Sequence, residues 1–338
     1  MSAIEDITSQ APAVEAVPKR AMTLSSGTTF VIVLLLLIVP LFVKNFIIFQ
    51  MTMLLIYGLA VLALNILTGG SGQFSLGNSA FYAVGAYTSA ILMEQYNVNY
   101  ALTLPVAGVV CFGAGFLFGQ PALRLSGVYL ALATFALATA MPQILKLGFF
   151  EHWTGGVQGL VVTKPDAPFG LPMSQDMWLY YFTLAITIAI YIFSVNLLRS
   201  RSGRAFMAIR DNEIAASAMG IDVATYKTLA FGVSAGITGV AGGLGAIAVQ
   251  FVAPDSYTIV LAISLFLGMV VGGVGWLPGS FIGSAFIIFV PNIAEGISKG
   301  LSGAVFGILL FLIIFLLPHG ARQVAMVAQQ LLNKVRKS

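Results

Sequence analysis

The chain has 338 residues, of which 59% are hydrophobic and only 8% are charged, and its formal net charge is +4. Soluble domains carry about a quarter charged residues because their surface must face water, so this composition excludes an ordinary soluble protein and predicts an integral membrane protein. The single cysteine, Cys111, excludes an intrachain disulfide, and one cysteine with two isolated histidines provides no metal-ligand cluster. We therefore expect no metal site and no cofactor.

Ten apolar segments follow a polar amino-terminal stretch. Residues 1–26 are interpreted as a short disordered cytoplasmic tail, because a cleavable signal peptide would bring its apolar run sooner. A bilayer core of ~30 Å needs ~20 apolar residues per helix, and backbone groups in lipid must be paired within the protein. We therefore predict an all-α polytopic bundle of about ten transmembrane helices within residues 27–320. The predicted spans lie near 27–44, 47–67, 74–93, 101–119, 127–147, 177–198, 226–249, 257–275, 279–295 and 303–318.

Lysine and arginine are distributed unevenly between the predicted loops. When the amino terminus is placed inside, twelve of the 16 basic residues face the cytoplasm, which agrees with the positive-inside rule. Both termini are then cytoplasmic, and residues 321–338 form a basic cytoplasmic tail. The two long loops are a periplasmic loop, 148–176, and a cytoplasmic loop, 199–225. The four basic residues on the outer side are Lys44, Lys146, Lys164 and Lys299.

Two glycine-rich interruptions break apolar runs, one in each half of the chain. They are Gly69-Gly70-Ser71-Gly72 and Gly272-Gly273-Val274-Gly275. Paired interruptions are typical of transporters built from internal repeats, and irregular backbone at membrane depth must be buried in protein or line water. We interpret both segments as parts of the translocation path; the alternative is that their polar groups only cap the third helix and bond to its neighbours. The candidate path residues are Gly72, Gln73, Ser75, Asn78, Gly272 and Gly275.

Other glycines recur at helical spacing inside the predicted spans. Glycine on one face lets two helix backbones approach closely, so these positions predict tight helix packing rather than individual functional roles. They are Gly232, Gly236, Gly239, Gly243, Gly268, Gly272, Gly279 and Gly283.

Charged side chains are absent from the centres of the predicted spans; Lys44, Glu94 and Lys146 lie near their ends. Because proton-coupled carriers usually need a titratable group at membrane depth, a proton-driven carrier is disfavoured and a solute of little net charge is expected. The sequence has no GxxxxGK[ST] motif, so any ATP must be bound by another subunit. We expect a transport subunit and not an enzyme; a secondary transporter or channel is the main alternative, and a membrane scaffold is the third.

The cytoplasmic loop 199–225 is the most informative segment outside the predicted spans. Asp211 is expected to cap a short helix that Gly220 ends, with Glu213 in the first turn, where the helix dipole favours an acid. Apolar residues alternate with charged ones along this loop. The loop is therefore either a basic amphipathic segment that lies on anionic lipid or a docking element for a cytoplasmic partner.

Several motifs resemble one family of importers. The run from Glu213 to Gly220 resembles the cytoplasmic EAA motif of ABC importer permeases, in which Glu-Ala-Ala is followed by a glycine. The chain resembles the branched-chain amino-acid permeases of the LivM type still more closely. Two positions depart from the family pattern: Gln158 stands where the family often has aspartate or asparagine, and Ala321 follows Gly320 where a Gly-Leu feature is usual. The matching segments are 69–87, 124–134, 154–160, 203–211, 272–275 and 318–320.

This resemblance implies a heteromeric importer of the bacterial inner membrane that works by alternating access. The partners implied are a sister permease subunit, two cytoplasmic ATP-binding subunits and a periplasmic solute-binding protein, with membrane lipid around them and no nucleic acid. The implied solute is a branched-chain or other apolar amino acid, although urea, short amides and aromatic acids have similar permeases. The residues implied in ATPase coupling are Arg204, Glu213, Ala215, Ala216 and Gly220.

Overall fold

The computed structural model describes residues 34–122, 125, 127–168 and 173–297, and the single positions 307, 311, 315, 320, 321 and 323. These residues are mostly helical, as predicted. The helices are α1 (Asn45–Asn65), α2 (Asn78–Glu94), α3 (Tyr100–Ala122), α4 (Val128–Leu145), α5 (Gly148–Thr154), α6 (Gln175–Arg199), α7 (Arg201–Asp211), α8 (Glu213–Ala218), α9 (Val223–Val249), α10 (Ile259–Gly272) and α11 (Gly279–Ile297). Residues 34–38 are also helical, and two 3-10 turns, Val39–Leu41 and Pro254–Tyr257, and a π-helical turn, Ile66–Gly70, are further helical elements of the described ranges.

The described residues contain fewer clear membrane spans than the ten that the sequence predicts. Six segments in the described ranges are long and apolar enough to cross a bilayer. Helix α2 has only 17 residues, and α11 is apolar over the shorter stretch Gly279–Ile293. The count of ten is therefore not confirmed. The six segments are Asn45–Gly70, Tyr100–Pro121, Val128–Leu145, Gln175–Arg199, Val223–Val249 and Pro254–Gly272.

Some predicted segments fall largely outside the described residues. The tail 1–26 lies wholly outside them, and the first span, 27–44, is described only from residue 34. The tenth span, 303–318, and the tail 321–338 are described only at isolated positions.

Loop 148–176 contributes one strand to a small sheet, which the all-α prediction did not include. Strand β1 (Leu160–Val161) pairs antiparallel with β2 (Phe251–Val252), so that Leu160 lies opposite Val252. Two ion pairs also hold this region, Lys146–Asp255 at 2.5 Å and Lys164–Asp176 at 2.6 Å. The pairing of β1 with β2 therefore fastens loop 148–176 to the segment that follows α9.

Helix α9 lies at the centre of the bundle, packed against α3, α2 and α1. Its most apolar stretch is 83% buried, whereas the corresponding stretches of α3, α4 and α6 are only 28% buried. Helices α3, α4 and α6 therefore present much of their apolar surface to the surroundings of the chain. Exposed side chains such as Val109, Leu117 and Tyr129 lie on this outer surface.

Glycine allows α9 to occupy the centre. A Cβ added to Gly242 would overlap the Tyr82 carbonyl oxygen of α2 and lie 3.0 Å from the Ala86 nitrogen. A Cβ on Gly239 would similarly meet Cys111 of α3. The glycine spacing in the sequence predicted this close backbone contact.

Replacing Gly242 with alanine should destabilise the bundle, because the added methyl group collides with backbone that cannot move aside. We expect Gly242→Ala to lower the free energy of unfolding by about 1–3 kcal/mol. The matched control is Gly113→Ala in α3, where an added Cβ meets nothing within 4 Å. That control should be neutral or stabilising, since alanine is favoured over glycine in helices by about 0.5–1 kcal/mol. Thermal unfolding in detergent compares the two variants, and equal midpoints would contradict the packing argument.

Candidate functional site

The two glycine breaks lie against each other in the structure. A Cβ added to Gly69 would lie 2.6 Å from the Cα atom of Gly275, so only glycine permits this approach. The first break leaves α1 through the π-helical turn and continues as irregular backbone to the start of α2. The second break separates α10 from α11, with positive φ angles at Gly273 and Gly275. The two interruptions, which the sequence predicted as matching breaks in the two halves of the chain, are therefore in direct contact.

A buried amide, Asn65, joins the breaks. Its Nδ2 donates to the carbonyl oxygens of Gly273 and Trp276, at 3.3 and 3.1 Å, and to Ser280 Oγ at 3.3 Å. Its Oδ1 accepts from the Gly275 amide at 2.7 Å. Because an unpaired backbone group in a membrane interior costs several kcal/mol, one side chain satisfies much of the backbone that the second break releases.

Asn65 was not among the site residues predicted from the sequence. The available signal was a lone amide near the end of a long apolar run, four residues before Gly69. Its partners lie more than 200 positions away along the chain, which no local pattern reveals.

The predicted path residues of the first break divide into two groups. Gly72 and Gln73 line a cavity of about 250 Å³ that also touches Arg210, Glu213 and Lys227. Gln73 is 7% exposed, and its Nε2 donates to Ser71 Oγ at 2.9 Å and to the Lys227 carbonyl at 3.1 Å.

The second group, Ser75 and Asn78, is buried and does not line this cavity. Ser75 Oγ accepts from the Gly77 amide at 3.1 Å, and Asn78 Nδ2 donates to Thr238 Oγ1 at 3.2 Å. These are the contacts expected if both side chains fasten the start of α2 to its neighbours. In the second break, Gly272 lies against Gly279 and Gly275 faces Gly69.

Loop 199–225 contains two helices, α7 and α8, where the sequence predicted one. The expected cap at Asp211 is wrong: Asn212 caps α8, because its Oδ1 accepts from the Ala215 amide at 3.0 Å. Asp211 instead accepts from Arg210, whose Nε and Nη2 lie 3.0 and 2.8 Å from Oδ1. Asn212 is preferred at this position because its backbone is extended, as a capping residue requires.

The end of α8 follows the prediction. The Ile221 amide bonds to the Ala216 carbonyl and the Gly220 amide to the Ser217 carbonyl, which together form a Schellman motif. Gly220 has φ +81°, a conformation that favours glycine. Beyond it, Asp222 caps α9, and its hydrogen bonds with the side chain and amide of Thr225 hold the pKa of its carboxyl below the usual value. Helix α8 is thus a capped unit between two defined ends.

Helices α7 and α8 differ in how they contact the bundle. Helix α7 buries Phe206 completely, edge-to-face with Tyr226, and also buries Ile209. Helix α8 exposes nearly its whole surface: Ile214 is 83% exposed, and Met219 just beyond the helix is 85% exposed. The loop therefore has an anchored part and a projecting part.

The residues predicted to couple to an ATPase lie on both helices. Arg204 is exposed on α7, and its Nη1 donates to the Arg199 carbonyl at 3.2 Å. Ala215 is exposed, whereas Ala216 faces the bundle and is buried. Glu213 forms an ion pair within the chain, with 2.6 Å between its Oε2 and Lys227 Nζ. Its side chain is still 51% exposed, so a partner can reach it.

Among the described residues, no group of three or more His, Cys, Asp and Glu side chains could hold a metal ion. The site consists of glycine backbone, amides and one cluster of paired charges.

The family described as branched-chain amino acid transport system / permease component matches residues 46–314. The chain belongs to this permease family. The high-affinity branched-chain amino acid transport system permease protein LivM of Salmonella typhimurium is 36% identical over 66% of this chain and 58% of its own length. LivM of Escherichia coli K12 is 34% identical over 76% of this chain and 67% of that protein. The autoinducer 2 import system permease protein LsrC of Escherichia coli O157:H7 is 28% identical over 75% of this chain and 72% of that protein.

The family resemblance found in the sequence motifs is therefore confirmed. The match spans less than two thirds of the length of the Salmonella protein. No solved structure matches this chain.

Removing the Asn65 amide should open the contact between the breaks. Asn65→Leu keeps the approximate size but leaves the Gly275 amide without its partner, at about 1–3 kcal/mol for a buried unsatisfied group. It also removes one of the two donors to each of the carbonyls of Gly273 and Trp276, which still accept from the amides of Trp276 and Gly279. We expect the thermal unfolding midpoint in detergent to fall clearly below that of Asn45→Leu, a control at the exposed start of the same helix. Indistinguishable midpoints would show that Asn65 does not hold the breaks.

Proposed function

We propose that this chain is a membrane-spanning subunit of an ABC importer that moves branched-chain amino acids from periplasm to cytoplasm. The observation that carries the proposal is α8, a capped helix with the EAA-type sequence that projects Ile214 and Met219 from the bundle. Contiguous exposed apolar patches commonly mark surfaces that a partner covers, and α8 offers two large apolar side chains to such a patch. The names of the two LivM relatives support the same solute class.

The proposed topology has about ten spans with both termini in the cytoplasm. The domain runs from 27 to 320, between a tail at 1–26 and a basic tail at 321–338. Two contacts support this arrangement, because α7 touches the end of α1 and β1 pairs with the residues after α9. Under the proposed topology the first contact lies inside and the second outside. Loop 199–225 is then cytoplasmic and loop 148–176 periplasmic.

The proposed partners follow from the surfaces that the chain presents. Two cytoplasmic ATP-binding subunits would supply the hydrolysis, one of them docking on α8 around Glu213, Ala215 and Gly220. A sister permease and lipid would cover the outer apolar faces of α3 and α4. A periplasmic solute-binding protein would deliver the solute to the outer loop.

Transport would proceed by alternating access, in which the breaks permit the helices to bend. Glycine backbone without side chains allows the local rearrangement, and the path residues Gly72, Gln73, Gly272 and Gly275 lie at that point. Charged side chains within the described spans lie only near helix ends. A zwitterion with an apolar side chain therefore fits better than a solute with net charge.

Uptake by the reconstituted complex tests the solute class. We expect proteoliposomes that contain this chain and its partners to accumulate labelled leucine only when the binding protein is outside the vesicles and ATP is inside them, on the side of the ATP-binding subunits. Lysine and glutamate, which carry net charge, should compete at least tenfold less well. ATP-dependent uptake of autoinducer 2 without leucine uptake would instead assign the solute of the LsrC relatives, and uptake driven by an ion gradient would identify a secondary transporter.

Reversing the charge of Glu213 tests the docking role. Glu213→Arg should reduce leucine uptake at least tenfold, because it places two cations together and repels a basic group on the ATP-binding subunit. The binding protein should still bind leucine. The decisive comparison is Glu213→Arg with Lys227→Glu, which restores the intrachain ion pair with opposite polarity. Recovery of uptake in the double variant would mean that Glu213 only fastens α8 to α9.

A further inference from the structure

Arg210 connects the cytoplasmic loop to the glycine breaks. It lies at the carboxyl-terminal end of α7, and its Nη1 donates to the Gly69 carbonyl at 2.8 Å. A Cβ on Gly72 would lie 3.0 Å from Arg210 Cγ and 3.3 Å from its Cα, so the first break also packs against the Arg210 backbone. The arginine is therefore in contact with the break at two points.

The Gly69 carbonyl needs an external donor because the helix ends there. The next amides along the chain, those of Gly72 and Gln73, bond to Thr68 and Leu67 instead. The last carbonyls of a helix carry partial negative charge, and a cation there is favoured by the helix dipole. Arg210 supplies both the hydrogen bond and the charge.

The same guanidinium is also held from the other side. Nε and Nη2 donate to Asp211, which stands directly before the Asn212 cap of α8. Arg210 thus occupies the joint between the anchored α7 and the projecting α8. The cavity of about 250 Å³ beside it, lined by Gln73 and Glu213 among others, leaves space in which this joint can shift.

From Gly69 the contacts continue into the second half of the chain. Gly69 lies against Gly275, and Asn65 Oδ1 accepts from the Gly275 amide. A displacement of Gly69 would therefore act on Gly275 directly, without an intervening flexible side chain. The route from α8 to both breaks consists of Asp211, Arg210, Gly69 and Gly275.

We propose that Arg210 is the positioning residue that transmits movement of α8 to the two glycine breaks. The proposal rests on the proposed function in one respect, namely that an ATP-binding subunit moves α8. The planar guanidinium suits this task because it donates along several directions at once and holds the Gly69 carbonyl and the Asp211 carboxylate in fixed relation. A methionine of similar length would fill the space but could not donate hydrogen bonds to the Gly69 carbonyl or to Asp211, so it would not couple α8 to the breaks.

The test uses the full complex and measures hydrogen exchange in residues 66–75 with and without a non-hydrolysable ATP analogue. In the wild type we expect the analogue to change exchange in this segment at least threefold. Arg210→Met should abolish the change, and Arg210→Lys, which keeps one donor and the charge, should restore part of it. Arg201→Met is the matched control, because Arg201 is exposed on the same helix. Leucine transported per ATP hydrolysed should fall at least tenfold in Arg210→Met and stay unchanged in Arg201→Met.

Each outcome decides the proposal. A nucleotide response in Arg210→Met equal to that of the wild type would overturn it, as would equal loss in Arg201→Met. If Arg210→Met fails to assemble, Asp211→Ala decides instead, since Asp211 is 67% exposed and does not contact the breaks. An unchanged response in that variant would overturn the proposal, and a weakened one would support it.

The exchange measurement also separates the two proposals. A wild-type complex that responds to nucleotide but does not take up leucine would refute the solute assignment and leave the transmission role supported. If hydrogen exchange in residues 66–75 of the wild-type complex does not change with nucleotide, the transmission role is refuted even if leucine is transported.

Discussion

The hydrogen bonds of Asn65 are the interaction on which the arrangement of the breaks depends. A helix that stops within a packed bundle leaves backbone amides and carbonyls that need partners from elsewhere in the protein. Asn65 supplies two donors and an acceptor from a rigid helix and satisfies the Gly275 amide and the carbonyls of Gly273 and Trp276. The second break can therefore exist because the first half of the chain stabilises it. This also explains why the breaks are in contact, since the amide can reach only a segment that lies against its own helix.

Glycine then determines how closely the other helices approach. Helix α9 lies among α1, α2 and α3, and its glycines meet the backbone of neighbouring helices directly. Lipid gives no hydrophobic driving force between helices, so close contact and interhelical hydrogen bonds hold the bundle together. The Ser234 hydroxyl, which donates to the Ala63 carbonyl at 2.8 Å, adds such a bond between α9 and α1. The first break thus starts from a helix that packs directly against α9.

Much of this fold could be predicted from the sequence, because apolar length and glycine spacing are local signals. The helical class, both breaks and the end of α8 at Gly220 follow from such signals. The cap at Asn212 was missed because Asp211 and Asn212 are both good caps, and the choice depends on the Arg210 ion pair. The roles of Asn65 and Arg210 were missed for a different reason: their partners are 210 and 141 positions away. The two-stranded ribbon was missed because two residues per strand leave no periodicity to detect.

The two helices of loop 199–225 have the unequal attachment that a moving element requires. Helix α7 is held by buried aromatic packing of Phe206, which does not yield to a small force. Helix α8 is held by the ion pair between Glu213 and Lys227, and a pair with one half-exposed member contributes only about 0–1 kcal/mol. Its own ends are nevertheless closed by a cap and a Schellman motif, which favour displacement of the whole helix over unravelling of its ends. A force applied to α8 would therefore be taken up at the joint between the two helices, where Arg210 holds the Gly69 carbonyl.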